Sequence, residues 1–258
     1  LQSAPNDNKA RLRPGVLRFT TKGEYLGFLS VGALSPAFLD IDEDEGKLVV
    51  SDYLNNGFFY YDFISEEVLF RSNSYPKSSF SDFLATVYRI PDVRRAQQIF
   101  REWTSAGSGE KQFDVISGVA FYKDKILAVD RMNKRIKVYS RDGDLLAIVT
   151  PQRSPNRPIL FDDPVDIAVS TQGIVFISDA SSLVRSVLAF TAKFEPLFSL
   201  SHPLMKRPSH LAVSEENYIF VTDLYSEEVF VFGPLHKRFE QAPKETESSL
   251  SAQEEGSS

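Results

Sequence analysis

Four aspartates recur in one local setting. Asp52, Asp130, Asp179 and Asp223 each close a short apolar run, as in Lys47-Leu48-Val49-Val50-Ser51-Asp52 and Tyr218-Ile219-Phe220-Val221-Thr222-Asp223. A metal or acid role would need several carboxylates converging on one point, whereas equivalent places in successive repeats keep these apart. Their expected work is to accept backbone N–H bonds at strand-end turns. A second column offers more. Aligning the runs that open each repeat puts Phe38, Gly118, Asp166 and His210 in equivalent positions. Asp166 and His210 fall in successive repeats, so both can face one rim. A carboxylate orienting an imidazole is a usable general base or part of a metal site, and equally a loop hydrogen bond without chemistry. His202 and His236, the other two histidines, are not placed to complete a ligand triad. Gly107-Ser108-Gly109-Glu110-Lys111 lacks the spacing of a phosphate-binding loop. Lys134, Arg135 and Lys137 fall along one strand and read as a solvated face, and Arg153 and Arg157 stand among prolines in a connecting loop.

The elements that must position these residues come from a repeat. Residues 36–63, 116–139, 164–190 and 208–232 share one plan of three β-branched and aromatic runs separated by turn residues, which reads as antiparallel strands. A weaker fourth strand follows in most copies, for example Leu145-Leu146-Ala147-Ile148-Val149 after Arg141-Asp142-Gly143-Asp144. The recurrent aspartates are spaced by 78, 49 and 44 residues, and 78 is near two repeats. A unit of about 40–45 residues with four strands is the blade of a β-propeller. A β-sandwich would not repeat these end residues. The expected fold is therefore all-β, a propeller of four-stranded blades, six in number with five as the alternative. Inner strands line the central channel, which puts Phe38, Asp166 and His210 at its mouth.

These details resemble the NHL-repeat propeller family, whose units carry a Pro-x-Gly-Ile/Val-Ala-Val opening, a Val-x-Asp ending and a following Asn-x-Arg-Ile-x-Val-Phe. The closest match is Ala128-Val129-Asp130-Arg131-Met132-Asn133-Lys134-Arg135-Ile136-Lys137-Val138-Tyr139. The other copies depart from it, with Asn55 then Gly57, Ser182 then Val184, and Ser226 then Glu228. The resemblance covers 12–72 and 112–239. It implies the architecture, while one superfold hosts many activities. Propeller-type amidating lyases of the family hold zinc on several channel histidines. Calcium-dependent gluconolactonase-like propellers need a Glu, Asn and Asp set that cannot be assembled here.

Two segments stand outside the repeat. Gly15 to Leu29 looks like the two outer strands of a blade whose inner strands are absent or supplied elsewhere. Residues 73–111 form a helical insertion or a degenerate blade. Pro91-Asp92 opens a helix through Trp103 with Val93, Ala96, Ile99, Phe100 and Trp103 on one face, and Ser81 to Tyr88 suits another short helix. Arg94, Arg95 and Arg101 take the polar face, so this helix, with Trp103 at its end, is either packed on the wall or a docking element. Residues 1–11 read as a flexible N-terminal segment, 12–239 as the propeller and 240–258 as a disordered acidic tail that cannot bury enough surface to offset its ordering entropy.

Composition narrows the function classes. The 258 residues include no cysteine, which removes disulfides, thiol nucleophiles and thiolate metal sites. The net charge of −6 is mostly that of the tail, which holds five Glu and one Lys from Glu240 onward, so the body is close to neutral. A duplex-wrapping nucleic-acid binder is disfavoured, and no apolar run is long enough to span a membrane. The polar start fits a cell-envelope or secreted protein, with a cytoplasmic one as the alternative. The expected function is a non-catalytic binding or scaffolding module that needs no cofactor and no metal. Its partner would be a protein, peptide or saccharide, met by Phe38, Asp166 and His210 at the mouth and by Arg94, Arg95 and Trp103 on the helix. The alternative is a lyase or lactone hydrolase with a metal at the channel mouth, using Asp166 and His210.

Overall fold

Runs such as Phe58-Phe59-Tyr60-Tyr61 and Ile174-Val175-Phe176-Ile177 combine β-branched and aromatic side chains, which fit a pleated surface better than a helix. In the computed structural model they form the strands of successive antiparallel meanders. The structure describes residues 14–30, 33, 35–72, 89, 91–103, 106–150, 153–154, 157–158 and 161–234. Blade 1 contains β3 (Pro36–Asp42), β4 (Lys47–Asp52), β5 (Gly57–Asp62) and β6 (Glu67–Arg71) in sheet order. Blade 2 contains β7 (Ile116–Tyr122), β8 (Lys125–Asp130), β9 (Arg135–Ser140) and β10 (Leu145–Val149). Blade 3 follows with β13 (Pro164–Val169), β14 (Val175–Asp179), β15 (Ser186–Phe190) and β16 (Pro196–Leu200). Blade 4 is three-stranded, with β17 (Pro208–Val213), β18 (Ile219–Asp223) and β19 (Glu228–Phe232). Ahead of them β1 (Val16–Phe19) and β2 (Tyr25–Leu29) form a two-stranded ribbon. A short ladder, β11 (Arg153–Ser154) with β12 (Arg157–Pro158), lies between blades 2 and 3.

The blades stack face to face through shared apolar layers, which is the propeller arrangement. Val49, Phe58 and Tyr60 of blade 1 pack with Ile116, Val119, Ile126 and Ala128 of blade 2. On the other face of blade 2, Leu127, Val129, Ile136 and Val138 meet Ile167, Val175, Ile177 and Leu188 of blade 3. Phe176, Val187 and Ala189 then face Ile219 and Val221 of blade 4. The middle strands of blades 2 and 3 are thus covered on both sides, so they are buried continuously rather than alternately. The inner strands β3, β7, β13 and β17 neighbour one another in that order. β3 packs directly on β7, although in sequence the stretch 73–115, which includes α1 (Val93–Trp103), separates their blades. Asp92 caps α1, its Oδ1 accepting the Arg94 N–H at 2.9 Å.

Four blade sheets lie among the described residues. The ribbon β1–β2 packs Val16 and Leu29 on Leu48, Val50, Phe59 and Tyr61 of β4 and β5, the middle strands of blade 1. On that side of the inner strand β3, Leu39 and Ile41 remain exposed. Phe220, Val229 and Val231 of blade 4 are likewise uncovered. The expected helix at Ser81–Tyr88 and the terminal segments 1–11 and 240–258 lie outside the described residues.

One expectation is overturned. Lys137 is not on a solvated face: it is fully buried, because β9 is covered on both sides. Its Nζ donates to the carbonyls of Glu110 at 2.6 Å and Gln112 at 2.5 Å and sits 4.1 Å from the centre of the Phe113 ring. Desolvation pushes its pKa down to about 8.

Candidate binding site at the channel mouth

The inner strands share a local irregularity that builds the mouth. In each blade the register slips near the start of the inner strand, between Pro36 and Leu39, Ile116 and Val119, Pro164 and Asp166, and Pro208 and Leu211. A bulge frees a backbone N–H from the ladder. The hydroxyl just before the recurrent aspartate takes it up. The Phe38 N–H donates to Ser51 Oγ at 3.0 Å, Asp166 to Ser178 Oγ at 3.0 Å and His210 to Thr222 Oγ1 at 3.1 Å. One bond repeated in three blades shows that these residues are equivalent, as the alignment expects. In blade 2 the place belongs to Gly118, where a Cβ would lie 2.5 Å from Asp166 Oδ1 and 2.6 Å from its Cα. Only glycine lets the Asp166 backbone and carboxyl close over it.

The side chains of this column meet. The rings of Phe38 and His210, from blades 1 and 4, stack across the mouth with centroids 4.6 Å apart and planes tilted by 32°. His210 Nδ1 is 3.9 Å from Asp166 Oδ2, beyond hydrogen-bond distance. The imidazole is half-exposed, and its partial burial lowers its pKa. Asp166 is buried, with Oδ1 accepting the Ile167 N–H and Oδ2 the Leu211 N–H of blade 4, both at 2.8 Å. Desolvation outweighs these donors, and with the nearby charge of Asp40 it raises the pKa of Asp166 to about 7. Asp40 makes the same kind of staple between blades 1 and 2. It accepts the Phe121 N–H at 2.7 Å and the Ile41 N–H at 2.9 Å, and burial raises its pKa. Sequence alignment misses Asp40, because it lies two residues beyond the aligned column.

The recurrent aspartates hold loops. Asp52 Oδ1 accepts from Ser35 N–H at 2.9 Å, and Asp130 Oδ1 from Asp114 N–H at 2.8 Å. Asp179 takes the N–H groups of Asp162, Asp163 and Ser181, and Asp223 those of Lys206, Arg207, Tyr225 and Ser226. Asp130 also binds Asn133 and Arg135, which with Lys137 tie down the Gly107–Gln112 loop through its carbonyls. The NHL-like motif thus serves to fix a loop.

The remaining candidates sit apart. Arg94 and Arg95 are exposed on α1, a separate element from the mouth. Trp103 ends that helix, and its side chain lies outside the described residues, as does His236. His202 belongs to the connection between blades 3 and 4, where Nδ1 accepts the Leu204 N–H at 3.3 Å and the ring packs 5.2 Å from Phe230. Among the described residues no three His, Asp or Glu side chains gather into a metal-binding group, and no helix is long and apolar enough to cross a membrane.

No family model and no curated protein matches this chain. Solved structures are similar to it in fold. A streptogramin B lyase is 10% identical with a TM-score of 0.49, over 84% of this chain and 61% of the lyase. A virginiamycin B lyase from Staphylococcus aureus is 10% identical with a TM-score of 0.49, over 84% of this chain and 62% of its own. A Kuenenia stuttgartiensis hydrazine synthase is 10% identical with a TM-score of 0.47, over 77% of this chain and 49% of the synthase. The chain thus spans about three fifths of the lyases' length.

Proposed function

We propose that this chain is a propeller binding module of the NHL-repeat kind, built on a ring of six blades in which β1–β2 is the outer half of one. It recognises a saccharide or an exposed peptide or protein segment at its channel mouth. The observation that carries this reading is the half-exposed His210 imidazole stacked on Phe38 beside the buried Asp166. An aromatic platform with a polar edge suits a ligand that offers both an apolar face and hydrogen-bonding groups. Rigid strands hold the platform, so little ordering entropy opposes binding. Arg94, Arg95 and Trp103 on α1 form the proposed second contact surface.

Glycan and peptide arrays probed with the wild type and with a Phe38→Ala/His210→Ala variant test it. Ligands bound by the wild type and lost by the variant, at unchanged melting temperature, support the reading. Identical array profiles for the two proteins sink it.

A second reading rests on the proximity of Asp166 and His210. A carboxyl group titrating near 7 beside a neutral imidazole is a proton-transfer pair for a lyase or lactone hydrolase. Elemental analysis separates the two readings. One equivalent of zinc or calcium in purified protein, lost on His210→Ala, favours the enzyme.

A further inference from the structure

Blade 1 leaves open an apolar position that the other three blades have covered. Directly opposed residues of an antiparallel pair share one face of the sheet. Leu39 opposes Val50, and Ile41 opposes Leu48. The β1–β2 ribbon covers Leu48 and Val50, whereas Leu39 is 52% and Ile41 45% exposed. By register the equivalents of Leu39 are Val119, Ile167 and Leu211, opposite Ala128, Ile177 and Val221. Val119 is 2% and Ile167 3% exposed, and Leu211 is half-buried. Each shares its apolar layer with the second and third strands of the preceding blade. Val119 lies in the layer of Val49, Phe58 and Tyr60, Ile167 in that of Leu127 and Ile136, and Leu211 in that of Phe176 and Val187.

Beside Leu39 only half of such a cover is present among the described residues. β2 leads to β3 by a short connection like that from β16 to β17, so β2 stands in the place of a fourth strand and β1 in that of a third. The inner edge of β1 then lies on the channel side, next to Leu39 and Ile41. β1 pairs with β2 along one edge, and among the described residues no strand pairs with the other. An open edge of this kind is a row of backbone donors and acceptors. The sequence just ahead of β1 has little to cover an apolar floor. By the spacing from Asp52 to Gly57, Asp130 to Arg135 and Asp223 to Glu228, a second strand preceding Val16 would end at Arg11. That stretch reads Asn6-Asp7-Asn8-Lys9-Ala10-Arg11, without a large apolar side chain.

We propose that this corner takes up an extended segment of another polypeptide chain. The segment pairs antiparallel with β1 and lays large apolar side chains, two residues apart, on Leu39 and Ile41. The strands that do this elsewhere in the molecule define its chemistry. Leu127 and Val129 in β8, and Ile174 and Phe176 at β14, meet the next blade from alternate positions. Backbone pairing supplies affinity, and the alternate apolar positions select the segment. A segment charged at those positions would bury a charge without a partner. The site rests on β1–β2 being the outer half of a blade and is independent of what the channel mouth binds.

The test uses the full chain and, as probe, a labelled synthetic peptide of residues 116–130, the β7–β8 pair that carries Leu127 and Val129. Fluorescence anisotropy should show saturable binding to the wild type. Leu39→Asp with Ile41→Asp, both at exposed positions, should weaken it by about tenfold or more at unchanged melting temperature. A peptide carrying Leu127→Asp with Val129→Asp should lose binding equally, with the protein left untouched. Hydrogen exchange of the complex should show new protection at the amides of Val16–Phe19, which adsorption to an apolar patch would not give. Phe38→Ala/His210→Ala should bind the peptide like the wild type, which separates this site from the mouth. A wild type that does not bind overturns the proposal and leaves β1–β2 standing as half a blade, as does equal binding by the Leu39→Asp/Ile41→Asp variant. Binding that needs Leu39 and Ile41 but leaves β1 unprotected overturns both.

Discussion

At Asp166 two backbone N–H groups favour the carboxylate, while burial and the charge of Asp40 favour the acid, and the acid prevails up to about pH 7. Unfolded, the same group ionises near 3.8, the ordinary value of an aspartate. Between about pH 4 and 7 the folded state therefore holds a proton that the unfolded state has released, and stability falls across that window and levels off above it. At 1.36 kcal/mol per unit the loss is roughly 4 kcal/mol. His210 works in the opposite sense, because its lowered pKa favours folding as its ordinary titration range is passed upward. We expect the urea midpoint to decline between pH 4 and 7, and the Asp166→Asn variant to lose that decline. A slope unchanged in the variant would place the titration elsewhere. Gly118 gives a second residue-scale prediction. Gly118→Ala puts a methyl group 2.6 Å from the Asp166 backbone, and overpacking of this kind costs about 1–3 kcal/mol, readable as a lower urea midpoint. The column of Phe38, Gly118, Asp166 and His210 was legible in the sequence because repeats share a register. Asp40 was not, since only the contact between blades gives it a role.

Among the elements, strands and their order follow directly from the repeated β-branched runs, and the recurrent aspartate marks where each second strand ends. The misreading of Lys137 has a physical cause. Alternation along a strand signals a solvated face only when one side of the sheet meets water. Here β9 is walled in by neighbouring blades, and Lys137 reaches across the core to hold the carbonyls of Glu110 and Gln112. Lys137→Met keeps the stem but removes the donor to the Glu110 carbonyl and one of the two donors to that of Gln112. It should cost about 1–3 kcal/mol of stability and raise protease cleavage within 107–113. Loss of stability without new cleavage there would show that the lysine does not fasten that loop. The turn chemistry was less legible. Asn56, Lys134, Arg185 and Glu227 all adopt positive φ at equivalent places, with φ between 43° and 60°. No shared residue type announces them, because the αL position is imposed by the hairpin rather than chosen by the side chain.

For the molecule as a whole, the propeller was readable from period and pattern, whereas the meeting of Phe38 and His210 from blades 1 and 4 was not. The layers between blades carry another consequence. Each apolar layer is shared by two neighbours and no others, so the molecule is a one-dimensional chain of coupled units. Blades 2 and 3 are clamped from both sides, while blade 4 shares one layer and leaves Phe220, Val229 and Val231 uncovered. Loss of structure should therefore travel inward from blade 4. Amide hydrogens of β18 and β19 are expected to exchange in native conditions well before those of β8 and β14, and equal protection across the four sheets would show global cooperativity instead. Unravelling from that end would release His210 first and leave Phe38 and Asp166 in place, so the mouth would be dismantled while most of the ring still stands.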